Sequence, residues 1–253
     1  MAGMTDDLFR QDAYLRECSA HITAVTEAGI VLDRTVFYPL GGGQAGDSGV
    51  LVLADGTEIA IADTRKGKDA EGNATNNIVH VPAPGQEALL AALAPGTTVT
   101  ARIDWERRHR MMRLHTTSHL LCHVVPQLVN GCSITPDYAR LDFAMTDPLD
   151  KEQLTAAIAA MVAAAHPLTV ASISDEELDA NPALVKSMSV QPPRGTGRIR
   201  TIRIGGEGDA PLIDLQPCGG THVANTAEIG AIVVTKIEKK SATTRRVVLG
   251  FVP

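Results

Sequence analysis

The chain has 253 residues, 44% of them hydrophobic and 21% charged, which suits a folded protein of one large or two modest domains and excludes a disordered or fibrous chain. A formal net charge of −6 argues against a protein that coats nucleic acid without selectivity, while leaving room for a local basic patch. No apolar run has bilayer-spanning length, the opening Met-Ala-Gly-Met-Thr-Asp-Asp lacks a basic start and apolar core, and Cys18, Cys122, Cys132 and Cys218 show no disulfide framework. A cytoplasmic protein with neither membrane nor DNA as partner is expected.

From the N-terminus, a short helical or turn segment over 12–17 leads into alternating patterns at 21–27 and 29–33, joined by the tight turn Glu27-Ala28-Gly29. Strand-like runs follow at 35–38, 49–54, 57–62, 78–81 and 97–103, with a polar loop at 64–77 and a short helical piece at 86–93. Many short strands separated by turn residues predict a small antiparallel barrel. Gly41-Gly42-Gly43-Gln44-Ala45-Gly46-Asp47 interrupts it just after Phe37-Tyr38-Pro39. Three consecutive glycines weaken a strand, so the stretch is either a turn or a place where a ligand or another backbone comes close, with Gln44 and Asp47 able to line a pocket. Neither phosphate-loop nor dinucleotide spacing is present.

A helix is predicted from Asp104 or Trp105, with Met111, Leu114, Leu121, Val124 and Val125 as apolar positions. Arg107, Arg108, Arg110 and Arg113 fall on its first turns, where cations oppose the helix dipole and an anionic partner would relieve them. His115 and His119 share one face about 6 Å apart along the axis, a separation that one zinc ion bridges. Taken alone, the pair is better explained as satisfied core or surface histidines than as metal ligands. Cys122 and His123 lie too far along the axis to join it and read as a core and an edge residue.

A second helix is expected with Asp147 as cap, Pro148 at its first position and His166-Pro167 as its stop. A strand at 168–173 follows, then a short helix opened by the capping-box spacing of Ser174-Asp-Glu-Glu177. Next come a hairpin of 198–204 and 212–215 around a loop at 205–208, and a closing strand pair at 231–238 and 245–252. The hairpin runs into Cys218-Gly-Gly-Thr-His222, where a thiol and an imidazole recur at the spacing of the first pair. Together His115, His119, Cys218 and His222 form a complete tetrahedral donor set for Zn2+. Lys236, Lys239, Lys240, Arg245 and Arg246 make a second basic run, which is either a solvated face or, with Arg107 and Arg108, a phosphate-binding surface. The expected class is α+β: an N-terminal small antiparallel β-barrel over 1–98, then a mixed α/β zinc-containing domain over 99–253, with the boundary between Pro95 and Trp105.

Phe37-Tyr-Pro-Leu-Gly-Gly-Gly-Gln44, His115-Thr-Thr-Ser-His119, Cys218-Gly-Gly-Thr-His222 and Lys236-Ile-Glu-Lys-Lys240 together resemble the AlaX family of alanyl-tRNA editing proteins, in its medium-length form, and the editing portion of alanyl-tRNA synthetase. The resemblance covers nearly the whole chain. It departs at Ser241-Ala-Thr-Thr244, where the family often carries glycines. It implies a free-standing hydrolase that deacylates mischarged alanine tRNA, Ser-tRNA(Ala) first and Gly-tRNA(Ala) second. In that reading His115, His119 and Cys218 serve catalysis through a zinc they share with His222, Gly41, Gly42, Gly43, Gln44 and Asp47 line the substrate, and Arg107, Arg108, Lys236, Lys239, Lys240, Arg245 and Arg246 meet the tRNA.

Such a second site has a physical reason. A pocket built for alanine gains only about 1–3 kcal/mol over glycine and rejects an added hydroxyl poorly, whereas a site that hydrogen-bonds the hydroxyl discriminates strongly. Thr35 is either that partner or simply a β-branched strand residue. Zinc would activate water, polarise the carbonyl or anchor the amino group, and the residues do not choose. Thr116, Thr117 and Ser118 stand where a zinc protease carries its glutamate, so no general base is evident. Two other readings stand beside this one: a zinc-stabilised tRNA-binding module without catalysis, and a deacylase of another mischarged tRNA such as Ser-tRNA(Thr). The oligomeric state is not legible.

Overall fold

The computed structural model describes residues 4–192, 197–206, 208 and 210–252. Its elements begin with β1 (Asp6–Asp7), α1 (Leu8–Gln11), β2 (Glu17–Thr26), β3 (Gly29–Leu32), β4 (Arg34–Thr35), β5 (Gly49–Leu53), β6 (Glu58–Lys68), β7 (Ala74–Pro82), α2 (Glu87–Ala91) and β8 (Thr98–Ile103). They continue with α3 (Trp105–Val124), β9 (Val129–Ile134), β10 (Tyr138–Ala144), α4 (Lys151–Ala163), β11 (Leu168–Ile173), α5 (Asp175–Ala180), β12 (Ile199–Gly205), β13 (Leu212–Pro217), β14 (Ile232–Ser241) and β15 (Thr244–Phe251). Two compact units result: Met1–Gly41 with Ala45–Arg108, and Gly42–Gln44 with His109–Pro253.

In the first unit six strands are hydrogen-bonded in a closed ring, in the order β2-β3-β7-β6-β5-β8. Alternation drives it: along β6, Ile59 and Ile61 are buried between exposed neighbours and join Ile22, Leu32, Leu51 and Val99 in one core. β8 pairs with both β2 and β5 and so completes the ring, which carries this unit past the expected limit at residue 98 to Arg108. The loop expected at 64–77 is much shorter, since β6 runs on to Lys68 and pairs with Ala74 of β7. Polar side chains on this stretch of ladder hide the strand pattern. Its turn is closed by Asp69, whose Oδ1 accepts from the amides of Glu71 (3.1 Å) and Asn73 (2.7 Å). The leading helix is α1, ahead of the expected 12–17, and it buries Phe9 edge-on against Tyr38 at 5.4 Å. Of the expected strand 35–38 only Thr35 belongs to β4, while Val36, Phe37 and Tyr38 are buried without joining a ladder.

The second unit is built on α3, which is buried on nearly every side between Met111 and Cys122. Asp104 caps its start by accepting from the Arg107 amide at 3.1 Å. Its sheets run β14-β15-β10-β9 and β11-β12-β13. β9 and β10 escaped the sequence reading, although Ala139, Leu141 and Phe143 alternate inward along β10. α4 is capped by Asp150, which accepts from the Gln153 amide at 2.8 Å, and not by Asp147. The extended backbone at Asp150 permits that bond, leaving Pro148 before the helix. The capping box of α5 forms as expected: Ser174 Oγ accepts from the Glu177 amide (3.1 Å) and Glu177 Oε2 from the Ser174 amide (2.7 Å). β11 to β13 take their expected places, but residue 207 of the expected loop at 205–208 lies outside the described residues. Among the described residues, no helix is long and apolar enough to cross a membrane.

Candidate metal centre

One turn of α3 stacks His115 and His119, with ring centroids 5.3 Å apart, because residues four apart lie on one face. The second pair arrives on the loop after β13. Arg200 of β12 holds this loop through its backbone, donating from Nη1 to the carbonyls of Cys218 (2.6 Å) and Gly220 (3.0 Å). A Cβ at Gly220 would lie 2.2 Å from His115 Cε1, so only glycine lets the loop close over the imidazole.

One donor atom from each of His115, His119, Cys218 and His222 falls within 4.8 Å of every other. Cys218 Sγ lies 3.5 Å from His115 Nε2 and 3.4 Å from His222 Nε2. Tetrahedral zinc with ordinary Zn–S and Zn–N bonds sets such atoms about 3.6 Å apart, so the donor set fits the ion. The imidazoles are 5–6% exposed, which keeps bulk water off them.

The outer nitrogen of each imidazole has its own partner. His115 Nδ1 meets Gln44 Oε1 at 2.8 Å, His119 Nδ1 meets Asp214 Oδ2 at 2.8 Å, and His222 Nδ1 meets Thr116 Oγ1 at 3.2 Å. Asp214 also pairs with Lys186 and accepts from Gln216 Nε2 at 2.8 Å. Histidines that bind metal characteristically have the far nitrogen held in this way. Burial would lower His119, but its bonds to Asp214 and Cys218 outweigh that and lift it to about 9. Burial would raise the Cys218 thiol, yet the facing His115 and His222 hold it well below the ordinary range, toward the thiolate that a metal takes. Burial would also raise Asp214, but His119 and Lys186 hold it at about 2.

The structure therefore brings His115, His119, Cys218, His222 and Gln44 together in the second unit. Asp214, Lys186, Gln216, Thr116 and Arg200 were missed in the sequence. The available signal was an aspartate inside the apolar run Leu212–Leu215, four residues before the cysteine.

Other expected site residues are engaged elsewhere. Asp47 and Arg108 are both fully buried and paired, with Arg108 Nε 3.1 and 3.0 Å from the two carboxylate oxygens. Their charges answer each other inside the ring unit, so neither is presented to substrate or RNA. Thr35 is fully buried, its Oγ1 2.7 Å from His80 Nε2 and accepting from the Phe37 amide at 3.0 Å. Gly41 O accepts from Tyr38 Oη at 2.8 Å, and Arg107 Nη2 donates to Gly46 O at 3.2 Å. Arg245 is buried with its guanidinium on the carbonyls of Thr146, Ser241 and Thr244. Arg246 is held by Asp142 through two bonds of 2.7 and 2.8 Å. Lys236, Lys239 and Lys240 are exposed on β14, with Lys236 2.7 Å from Glu238.

Residues 199–248 match the threonyl and alanyl tRNA synthetase second additional domain, and residues 10–107 match the class II (A) tRNA synthetases. The chain is 32% identical over 248 residues to alanyl-tRNA editing protein AlaX-M of Saccharolobus solfataricus, covering 96% of this chain and 98% of that protein. It is 32% identical over 252 residues to the AlaX-M protein of Methanosarcina acetivorans, with 96% and 97% covered. With the alanine–tRNA ligase of Hyperthermus butylicus it shares 35% identity over 249 residues, 93% of this chain but 24% of the ligase.

Proposed function

The chain belongs to the AlaX-M family of alanyl-tRNA editing proteins, and from that premise we propose that it hydrolyses the ester joining serine, and secondarily glycine, to the 3′ end of alanine tRNA. Water adds to the ester carbonyl, the bond to the ribose oxygen breaks, and the free amino acid and a ribose hydroxyl are released. The observation that carries this reading is the four-donor cluster of His115, His119, Cys218 and His222. Zinc bound there would supply a Lewis acid to the ester carbonyl or a positive anchor for the substrate. Gln44, Asp214 and Thr116 hold the imidazoles in place, and the exposed Lys236, Lys239 and Lys240 offer charge to tRNA phosphates. The cytoplasm, where aminoacyl-tRNA is made, is its expected compartment.

The proposed partner for a serine hydroxyl is Thr35 of the ring unit, which is fully buried and already makes two hydrogen bonds. His80 Nδ1 lies 3.1 Å from the Ile30 carbonyl and therefore carries its proton, so Nε2 accepts from the Thr35 hydroxyl. With the Phe37 amide donating to the same oxygen, one lone pair is left to accept from a serine hydroxyl.

A second reading draws on the donor set itself. Four protein ligands ordinarily close a structural zinc site, which favours a tRNA-binding module that does no chemistry. One assay separates the two: purified protein is offered Ser-, Gly- and Ala-tRNA(Ala), and ester loss is followed. Loss of the serine and glycine esters with alanine spared is expected, and Thr35→Val should slow the serine ester more than the glycine ester. Equal loss of all three overturns editing, no loss at all favours the module, and equal slowing by Thr35→Val ends the hydroxyl role.

A further inference from the structure

The glycine run delivers a buried side chain to the metal centre. Residues 42–44 count with the second unit although the chain on either side counts with the first. Gly42 and Gly43 have φ of 58° and 87°, and a Cβ on Gly43 would lie 2.9 Å from the Cys132 carbonyl oxygen, so only glycine follows this path. The Ile134 amide donates to Gly43 O at 2.7 Å and Gln44 bridges to Ile134 in parallel, which pins the segment beside β9. Gln44 arrives fully buried.

The polarity of its contacts follows from one group. A backbone N–H can only donate, and the Thr221 amide points at Gln44 Oε1 from 3.1 Å. Turning the amide over would set two donors against each other, so the oxygen must face this way and Nε2 donates to Thr221 Oγ1 at 2.8 Å. The same oxygen lies 2.8 Å from His115 Nδ1, which must then carry the ring proton. Nε2 of His115 keeps its lone pair and faces Cys218 Sγ.

We propose that Gln44 is a positioning residue of the metal centre: its amide locks His115 in the tautomer that ligates through Nε2, and ties the helix motif to the Cys218–His222 loop. The geometry around Gly220 supports this, since a Cβ there would meet His115 Nδ1 at 2.5 Å and Gln44 Oε1 at 2.8 Å. Amide and imidazole together occupy the space that glycine leaves. The inference rests on the four-ligand set and not on the identity of the substrate.

Zinc affinity of the full chain, read by competition with a chelating dye, tests it without any tRNA. Gln44→Leu should weaken zinc about 10- to 100-fold. Gln44→Glu should hold zinc as the unchanged chain does, because a carboxylate oxygen accepts from both the imidazole and the Thr221 amide. In the zinc-loaded, 15N-labelled unchanged chain, long-range proton–nitrogen spectra should show His115 protonated at Nδ1, a reading that stands even where Gln44→Leu does not fold. Undiminished affinity in Gln44→Leu, or His115 ligating through Nδ1, overturns the proposal. Because deacylation is not measured, the outcome is independent of the editing assay.

Discussion

The ring unit and the metal unit both bury charged and polar side chains, but they satisfy them differently. In the ring, Arg108 meets Asp47 and His80 meets Thr35 and the Ile30 carbonyl, and each group is answered by a neighbour in the same core. In the metal unit, a separate partner holds the outer nitrogen of each of three imidazoles, while their inner nitrogens and the Cys218 sulfur converge on one point. Burial of an ionisable group is thus no sign of a site by itself. Donor capacity left over after every nearby partner is counted is a better one.

The contrast can be broken from either side, and the largest effect lies in the ring. Asp47→Ala leaves the Arg108 guanidinium buried without its counter-charge and should cost about 3–5 kcal/mol of stability in urea unfolding. The double substitution Asp47→Ala with Arg108→Met should cost less than the single one. If the single change costs no more than a surface substitution, the pair is not the closed unit described.

Next comes His80. Burial, only partly offset by the Ile30 carbonyl, depresses it from 6.5 to about 4, so the folded chain keeps it neutral where the unfolded chain takes up a proton. Its contribution is therefore complete above pH 6.5 and is lost as pH falls toward 4, about 3 kcal/mol over that window. In His80→Gln this part of the pH dependence of unfolding should vanish. An unchanged slope would show that His80 already titrates normally in the folded chain.

In the metal unit, Asp214→Asn keeps a hydrogen-bond acceptor for His119 but removes the charge, and should weaken zinc by about 10- to 100-fold. Equal affinity would mean that the carboxylate contributes no more than shape. The smallest effect is expected at the surface, where Lys239→Ala with Lys240→Ala should reduce the salt dependence of tRNA binding, by roughly 0.7–0.9 in logarithmic slope for each phosphate no longer neutralised. A slope that does not move removes both lysines from the interface.

The sequence revealed this molecule unevenly. The four-donor cluster was legible because metal chemistry restricts both residue type and spacing, and the capping box of α5 because its two bonds are local. Arg108 and Arg246 read as members of basic runs since sequence displays charge but not the distant carboxylate that answers it. Asp214, Lys186 and Gln44 were illegible as supports of the histidines for the same reason: each works across a separation in the chain that no local pattern records. The order of strands in the ring is likewise a matter of long-range pairing, and β6 with β7 shows how polar outward residues conceal a ladder.

X-ray absorption at the zinc edge of the loaded full-length protein tests the central assignment most directly. Three nitrogen neighbours at about 2.0–2.1 Å and one sulfur at about 2.3 Å are expected, with the sulfur absent in Cys218→Ala. A zinc environment without sulfur in the unchanged chain, or one that Cys218→Ala leaves intact, would contradict the convergence of the two motifs on one ion.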